Sequence, residues 1–170
     1  MLPDSLTVCE ILSPTPLFNI VLYEPEIPPN AGNVMRLAAN TGCTLHLVRP
    51  LGFTLRDSKL ARAGMDYIDR ARIEVHDDWR ACTERLSGTR MFLFTTRGTQ
   101  RYDTIRFEPG DTLVFGPESR GLPQSVIEPA APGHRLFIPM AKDGRSINLA
   151  DAVSIAVYEA WRQQDFRAPP

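Results

Sequence analysis

Short apolar runs alternate with longer amphipathic stretches along this chain of 170 residues. Runs bounded by Gly, Pro or polar residues are typical of β-strands. The run at 91–95 is almost continuously apolar, which predicts a strand buried on both faces. The strands predicted in this way are 18–23, 45–48, 72–76, 91–95, 112–116 and 135–139.

Helical spacing appears between these runs. Pro28 and Pro29 are expected to block continuation of the first strand, with Asn30 as the N-cap of a helix and Gly42 as its stop. A capped helix is predicted at 77–87, a further helix could form at 56–65, and one restarts near Pro123. The strongest helical pattern is 148–164. The buried stripe of the first helix is predicted to be Val34, Leu37, Ala38 and Thr41.

Alternating strands and helices predict an α/β fold with a mostly parallel sheet and helices on both faces. Ligands in such sheets bind beyond the carboxyl ends of the strands, which points to 95–99, 116–122 and 139–146. Prolines interrupt residues 1–17, so this segment is interpreted as an N-terminal tail before a single domain at 18–166.

The composition disfavours membrane, secreted and metal-binding proteins. No apolar run approaches the roughly 20 residues of a membrane span, and the N-terminus lacks the basic start of a signal peptide, so a cytoplasmic protein is expected. The three cysteines form no C-x-x-C pair, and the three histidines are spread along the chain. We therefore expect no metal site.

The charge pattern is ambiguous about nucleic acid. The net charge is −1, so a global basic field is absent. Of 19 basic residues only Lys59 and Lys142 are lysine, which leaves 19 − 2 = 17 arginines. Arginine suits bidentate phosphate contacts, but a GC-rich genome also favours its codons. The abundance of arginine does not decide between these explanations.

The sequence does not match several familiar motifs of nucleotide-binding proteins and hydrolases. The chain has no G-x-G-x-x-G dinucleotide fingerprint, and Leu122 stands where a P-loop needs lysine. The segment 118–121 resembles part of a nucleophile elbow around Ser119, but Pro117 replaces the first glycine and His134 is the only late histidine. A serine hydrolase is therefore disfavoured.

Two loops remain informative. The segment 115–123 leaves a buried strand at Gly116, which would let a ligand approach the backbone closely, and turns at once. The segment 138–149 runs into the last helix, which Ser146 or Asn148 caps. Free N–H groups at such a helix start can hold a carboxylate.

Segments 19–42, 115–123 and 138–149 together resemble the three motifs of SPOUT-class RNA 2′-O-methyltransferases, and the resemblance runs from Phe18 to Phe166. It implies a deep C-terminal trefoil knot, a homodimer and S-adenosylmethionine as cofactor. For Ile138, Met140 and Leu149, which could form an apolar slot for adenine, the alternative is ordinary core packing. The cofactor-binding positions that it implies are Phe94, Thr95, Gly116, Glu118, Ile138, Met140, Ser146 and Leu149.

The resemblance also marks catalytic candidates. Arg36 lies on a polar stripe with Asn33 and Asn40. Because a guanidinium keeps its proton at neutral pH, we expect Arg36 to hold a phosphate and stabilise negative charge on the 2′-oxygen, which leaves the proton acceptor unassigned. Tyr158 and Arg145 are the further candidates.

The segment 23–30 resembles the branch of the family that modifies the tRNA wobble nucleotide. An anticodon loop presents that nucleotide unstacked, so a small dimer could read it. The expected substrate is the wobble ribose, at a cytidine or a modified uridine of position 34. Two alternatives stay open: methylation of another tRNA or rRNA nucleotide, and a knotted domain that only binds.

Overall fold

A single parallel sheet forms the centre of the molecule. The computed structural model describes residues 16–55, 72–142 and 144–168. Its strands are β1 (Asn19–Tyr23), β2 (Thr44–Val48), β3 (Arg72–His76), β4 (Met91–Phe94), β5 (Gln100–Arg101), β6 (Thr112–Phe115) and β7 (Arg135–Phe137).

Within the described residues the seven strands are all parallel, in the order β3-β2-β1-β6-β4-β7-β5. The six strands predicted from apolar runs are all present. Strand β5 was not predicted, because two residues carry no periodicity. The order makes β6, β4 and β7 neighbours, so the loops that follow them emerge side by side.

Helices cover both faces of the sheet, which confirms the predicted architecture. The helices are α1 (Pro28–Thr41), α2 (Trp79–Arg85), α3 (Gln124–Ile127) and α4 (Leu149–Arg162), with 3₁₀ turns at Tyr102–Thr104 and Pro132–His134. Helices α1 and α4 share one core with the sheet, and α2 and α3 share the other. The helix considered at 56–65 lies outside the described residues.

Helix α1 begins earlier than predicted. Asn30 is not its N-cap: Ile27 is, and the two prolines occupy the first turn, where their missing N–H groups cost no hydrogen bond. The predicted stop is confirmed, since Gly42 closes the helix in the left-handed region with φ of 74°. The Asn30 side chain is consequently free to make contacts outside the helix.

Helix α4 is capped by Asn148, one of the two predicted candidates. Its side-chain oxygen accepts from the backbone N–H of Ala150 at 2.8 Å and of Asp151 at 3.4 Å. The inner face of α4 packs on α1 and the sheet. Each large apolar side chain buried there stabilises the fold by about 1.5–3 kcal/mol. The buried residues of α4 are Leu149, Ala150, Val153, Ala156, Val157 and Ala160.

The described chain begins inside the core. Leu17, the last residue of the predicted tail, is buried, and its carbonyl accepts from the N–H of Gly110 at 2.9 Å. Among the described helices, none has the length and apolar character needed to cross a bilayer.

Candidate active site

A cavity of about 460 Å³ opens at the carboxyl ends of β4, β6 and β7. Three loops form its walls: the turn after β4, the segment 116–122 after β6, and the segment 138–149 that leads into α4. Ile27 and Asn30, at the start of α1, complete the wall. Its position follows the rule for parallel sheets, and its volume suits a small-molecule ligand.

The cavity combines an apolar floor with hydroxyl groups. Phe94 and Phe115 stack beneath it, with ring centroids 4.7 Å apart. Ile138 and Leu149 add aliphatic surface, and Thr95 is half-buried at the edge. All eight positions that the sequence marked for the cofactor line this one cavity: Phe94, Thr95, Gly116, Glu118, Ile138, Met140, Ser146 and Leu149.

Gly116 is required by the loop itself. A Cβ atom at this position would overlap the backbone of Gly121 and Leu122, because the loop folds back onto the end of β6. The turn closes through a hydrogen bond from the N–H of Gly121 to the carbonyl of Pro117 at 2.9 Å. The close approach that the sequence suggested for a ligand is thus made here by the chain's own backbone.

Glu118 joins this loop to the start of α1. One carboxylate oxygen accepts from the N–H of Glu26 at 2.8 Å. The other accepts from the N–H of Ile27 at 3.2 Å and from Nδ2 of Asn30 at 3.0 Å. A carboxylate at a helix start also suits the helix dipole. With both oxygens engaged, Glu118 is poorly placed to take a proton from a substrate.

A second carboxylate makes the reciprocal contact. Glu26 accepts from the Ser119 hydroxyl at 2.7 Å and from the Ser119 N–H at 2.9 Å. The hydroxyl bond is the main reason why the pKa of Glu26 lies below its ordinary value. Arg120 pairs with Glu24 beside it. The loop after β6 is therefore fixed to the β1–α1 connection by bonds in both directions.

Asn30 extends the network to α4. Its amide oxygen accepts from Nδ2 of Asn148 at 3.0 Å, while its nitrogen donates to Glu118. Asn30 is buried, so leaving its amide unpaired would be costly. One chain of hydrogen bonds thus connects the loop after β6, the start of α1 and the cap of α4.

The three catalytic candidates are not among the residues of the cavity wall. Arg36 is exposed on α1, in the polar stripe with Asn33 and Asn40 that the sequence predicts. Arg145 is exposed beside Ser146, and Tyr158 is exposed on α4. None of these three described side chains is part of the cavity lining.

Sequence reasoning missed several residues of the wall. Asn30 was interpreted as a helix cap, and Arg97 and Arg120 were not singled out, although both line the cavity. Their place in the sequence could have identified the two arginines, because both fall in loops that follow the carboxyl ends of strands, where ligands bind.

Two histidines that are distant in sequence meet across β2 and β3. Nδ1 of His46 lies 2.9 Å from Nε2 of His76, and Glu74 approaches His46 to 3.9 Å. The three side chains could supply metal ligands, so the inference from spread-out histidines was too simple. Arg85 engages both oxygens of Glu74, at 2.9 and 2.8 Å. Burial lowers the pKa of His46 to about 4.

Known proteins resemble this chain over most of its length. A relative from Methylovorus glucosotrophus, named tRNA (cytidine(34)-2′-O)-methyltransferase, is 54% identical over 150 residues, covering 88% of this chain and 97% of the relative. A solved structure described as giving insights into the 2-OH methylation of C/U34 on tRNA is 49% identical with a TM-score of 0.84, covering 90% of this chain and 99% of its own.

A more distant solved structure carries the cofactor. The AdoMet-bound rRNA methyltransferase from Sinorhizobium meliloti is 26% identical with a TM-score of 0.74, covering 85% of this chain and 56% of its own. Residues 17–158 match the family described as SpoU rRNA Methylase. This match spans the sheet, α1 and the cavity loops, and the chain belongs to the SpoU methylase family.

Proposed function

We propose that this methyltransferase transfers a methyl group from S-adenosylmethionine to the ribose 2′-hydroxyl of nucleotide 34 of tRNA, a cytidine or modified uridine. The observation that carries the proposal is the gathering of all eight marked positions around one cavity. The similarity to relatives named for the same reaction, at 54% and 49% identity, supports the choice of substrate.

The cavity fits the cofactor by its chemistry. The adenine ring needs a flat apolar slot, which Ile138 and Leu149 can provide above the Phe94–Phe115 pair. Ser146 and the backbone of the loops supply polar partners. S-adenosylmethionine would supply a methyl group already activated by the positive charge on sulfur.

The protein then has to hold the ribose in line and stabilise charge on its oxygen. Arg36 is proposed to contact the adjoining phosphate and the developing alkoxide, with Tyr158 and Arg145 assisting. The engaged oxygens of Glu118 leave it out of proton transfer. The Glu118–Asn30–Asn148 network positions α1, and therefore Arg36, relative to the cavity.

A homodimer is part of the proposal. The outer face of α4 carries an aromatic group in which Trp161 lies 5.8 Å from Tyr158 and 5.5 Å from Phe166, between ring centroids. Tyr158 is 47% exposed and Phe166 52% exposed. Large apolar side chains left open in this way favour a protein contact. A second copy packed there could place its own catalytic candidates at the cavity of the first copy.

Three further features belong to the same proposal. The domain is taken as 18–166, with residues 1–17 as a tail. The location is taken as the cytoplasm, and the C-terminal part of the domain as a deep trefoil knot. Knots are rare, so the support for this one is the resemblance to knotted SPOUT enzymes. An experimental trace in which the segment after β7 does not thread the preceding loop would exclude it.

The first test is methyl transfer itself. Purified protein, labelled S-adenosylmethionine and total tRNA are incubated, and the nuclease fragments of the tRNA are identified by mass spectrometry, which locates the methylated nucleotide. The proposal predicts 2′-O-methylcytidine or a 2′-O-methylated uridine from position 34. Label in another tRNA nucleotide, or only in rRNA, would replace the proposed target. Cofactor binding without transfer to any RNA would indicate a knotted domain that only binds.

A further inference from the structure

Most cations on the described surface are neutralised by neighbours. Arg135 donates to the carbonyls of Glu128 and Ala130 at 2.8 and 2.9 Å. Arg36 and Arg72 also have contacts within the molecule. The arginines that pair with a carboxylate are Arg49, Arg80, Arg85, Arg90, Arg101, Arg120, Arg162 and Arg167.

Four cations are exceptions among residues 16–55, 72–142 and 144–168. Neither an ion pair nor a side-chain hydrogen bond engages Arg97, Arg106, Lys142 or Arg145 within this part of the chain, and all four are exposed. An unpaired cation can bind an anion without first breaking an ion pair, so these four groups are available to a ligand.

One of these four cations lies in the wall of the cavity, and two lie in the segment that follows β7. Arg97 is the residue in the wall, in the turn after β4. Lys142 and Arg145 fall between two residues of the wall, Met140 and Ser146. We call Arg97, Lys142 and Arg145 the cationic rim.

The carboxylates described around the cavity contact groups other than the rim cations. Glu118 accepts three hydrogen bonds from the start of α1. Glu24 is paired with Arg120, and Glu26 accepts from Ser119. Within the described part of the chain, these three carboxylates therefore make their contacts elsewhere and leave the rim cations without an ion pair.

We propose that the cationic rim binds RNA phosphates beside the ribose that is methylated, with Arg97 and Arg145 as its principal contacts. The inference rests on the proposed function and names the groups that hold its substrate. Phosphate contacts fix the register of an RNA without reading its bases. Planar guanidinium groups hold phosphates through two donors at once, and Lys142 adds a point charge.

The test compares Arg97→Ala/Arg145→Ala with Arg106→Ala. Arg106 is a matched control because it is exposed and unpaired within the described chain, yet lies away from the cavity, where its carbonyl accepts from Arg90 just before β4. Binding of an anticodon stem-loop is measured by fluorescence anisotropy over a series of salt concentrations. Calorimetry with S-adenosylhomocysteine measures the cofactor site separately.

The double variant should bind the stem-loop roughly tenfold more weakly, and its plot of log Kd against log salt should be shallower by about one to two, since two phosphate contacts are lost. Arg106→Ala should match the wild type, and Arg97→Lys should keep most of the salt slope. Cofactor affinity should stay unchanged in every variant.

Other outcomes separate the inference from the proposed function. Equal affinity and slope in the double variant and Arg106→Ala would overturn the rim while leaving methyl transfer intact. Loss of cofactor affinity with normal RNA binding would also overturn it, by assigning Arg97 or Arg145 to the cofactor. A wild-type protein that binds cofactor but no tRNA would defeat the proposed function, and the rim with it.

Discussion

At the scale of single residues, the site depends on side chains whose partners are remote in sequence. Glu118 and Asn30 are 88 positions apart and share a hydrogen bond of 3.0 Å. A cap-like asparagine after two prolines is normally interpreted locally, so the sequence could not reveal this contact. His46 and His76 meet for the same kind of reason, through the register of two strands.

Arg36 gives the sharpest prediction at this scale. Arg36→Ala and Arg36→Lys should each lower kcat by roughly 100-fold or more, because lysine keeps the charge but loses the planar fork that holds two oxygens. The measurement is single-turnover methyl transfer to tRNA. Binding of S-adenosylhomocysteine should stay near wild type, since Arg36 does not line the cavity. Wild-type rates in Arg36→Lys would mean that charge alone suffices.

The His46 pair predicts a pH dependence of stability. Burial lowers the pKa of His46 from 6.5 to about 4 in the folded protein. Between those values the unfolded chain binds more protons, so the free energy of unfolding falls as the pH drops from about 6.5 to about 4. The loss is at most about 3 kcal/mol. Urea unfolding at pH 7.5, 6 and 5 measures it.

The matched variant for this experiment is His46→Gln, which removes the titrating group and keeps a polar side chain beside Asn19 and His76. Its free energy of unfolding should change less between pH 7.5 and 5 than that of the wild type. Parallel curves for the two proteins would show that His46 does not control this transition.

At the scale of elements, most of the architecture follows from local pattern. Apolar runs predicted six strands, and apolar residues three and four positions apart predicted α1 and α4. Burial of one or two faces of an element imposes these patterns directly. The sequence pattern did not predict the short strand β5 or the residue at which α1 begins. Two residues show no period in the first case, and in the second proline begins a helix as readily as it ends a strand.

The outer face of α4 gives the prediction at this scale. Ile155 is half-buried there, beside Tyr158, and is not among the buried residues of the helix. If the proposed dimer forms through this face, Ile155→Asp should make the protein monomeric and lower methyl transfer at least about tenfold, because a buried charge in the interface is costly. Light scattering and the tritium assay measure the two effects.

Asp151→Ala is the control for this variant, since Asp151 is exposed on the same helix and its change adds no charge to the interface. It should stay dimeric and active. A wild-type protein that is fully active as a monomer would contradict the assembly, and so would an Ile155→Asp monomer with undiminished activity.

At the scale of the whole molecule, the order β6-β4-β7 brings three loops to one cavity, and the sheet-level rule was sufficient to mark them in advance. Which ligand fills the cavity was not available from periodicity. The identity of the ligand was inferred from the three sequence motifs, and the fold places the residues of these motifs around one cavity. The proposed knot depends on the complete chain path and the proposed dimer on a second copy, so no local pattern predicts either of them.

The central claim is methylation of the ribose at nucleotide 34, and one assay tests it most directly. Tritium transfer from S-adenosylmethionine is compared between unmodified tRNA and the same tRNA carrying a 2′-deoxy or 2′-O-methyl residue at position 34. The account predicts incorporation into the unmodified tRNA and none into either blocked tRNA, since the accepting hydroxyl is gone. Undiminished incorporation into the blocked tRNAs would contradict it and place the methyl group on another nucleotide.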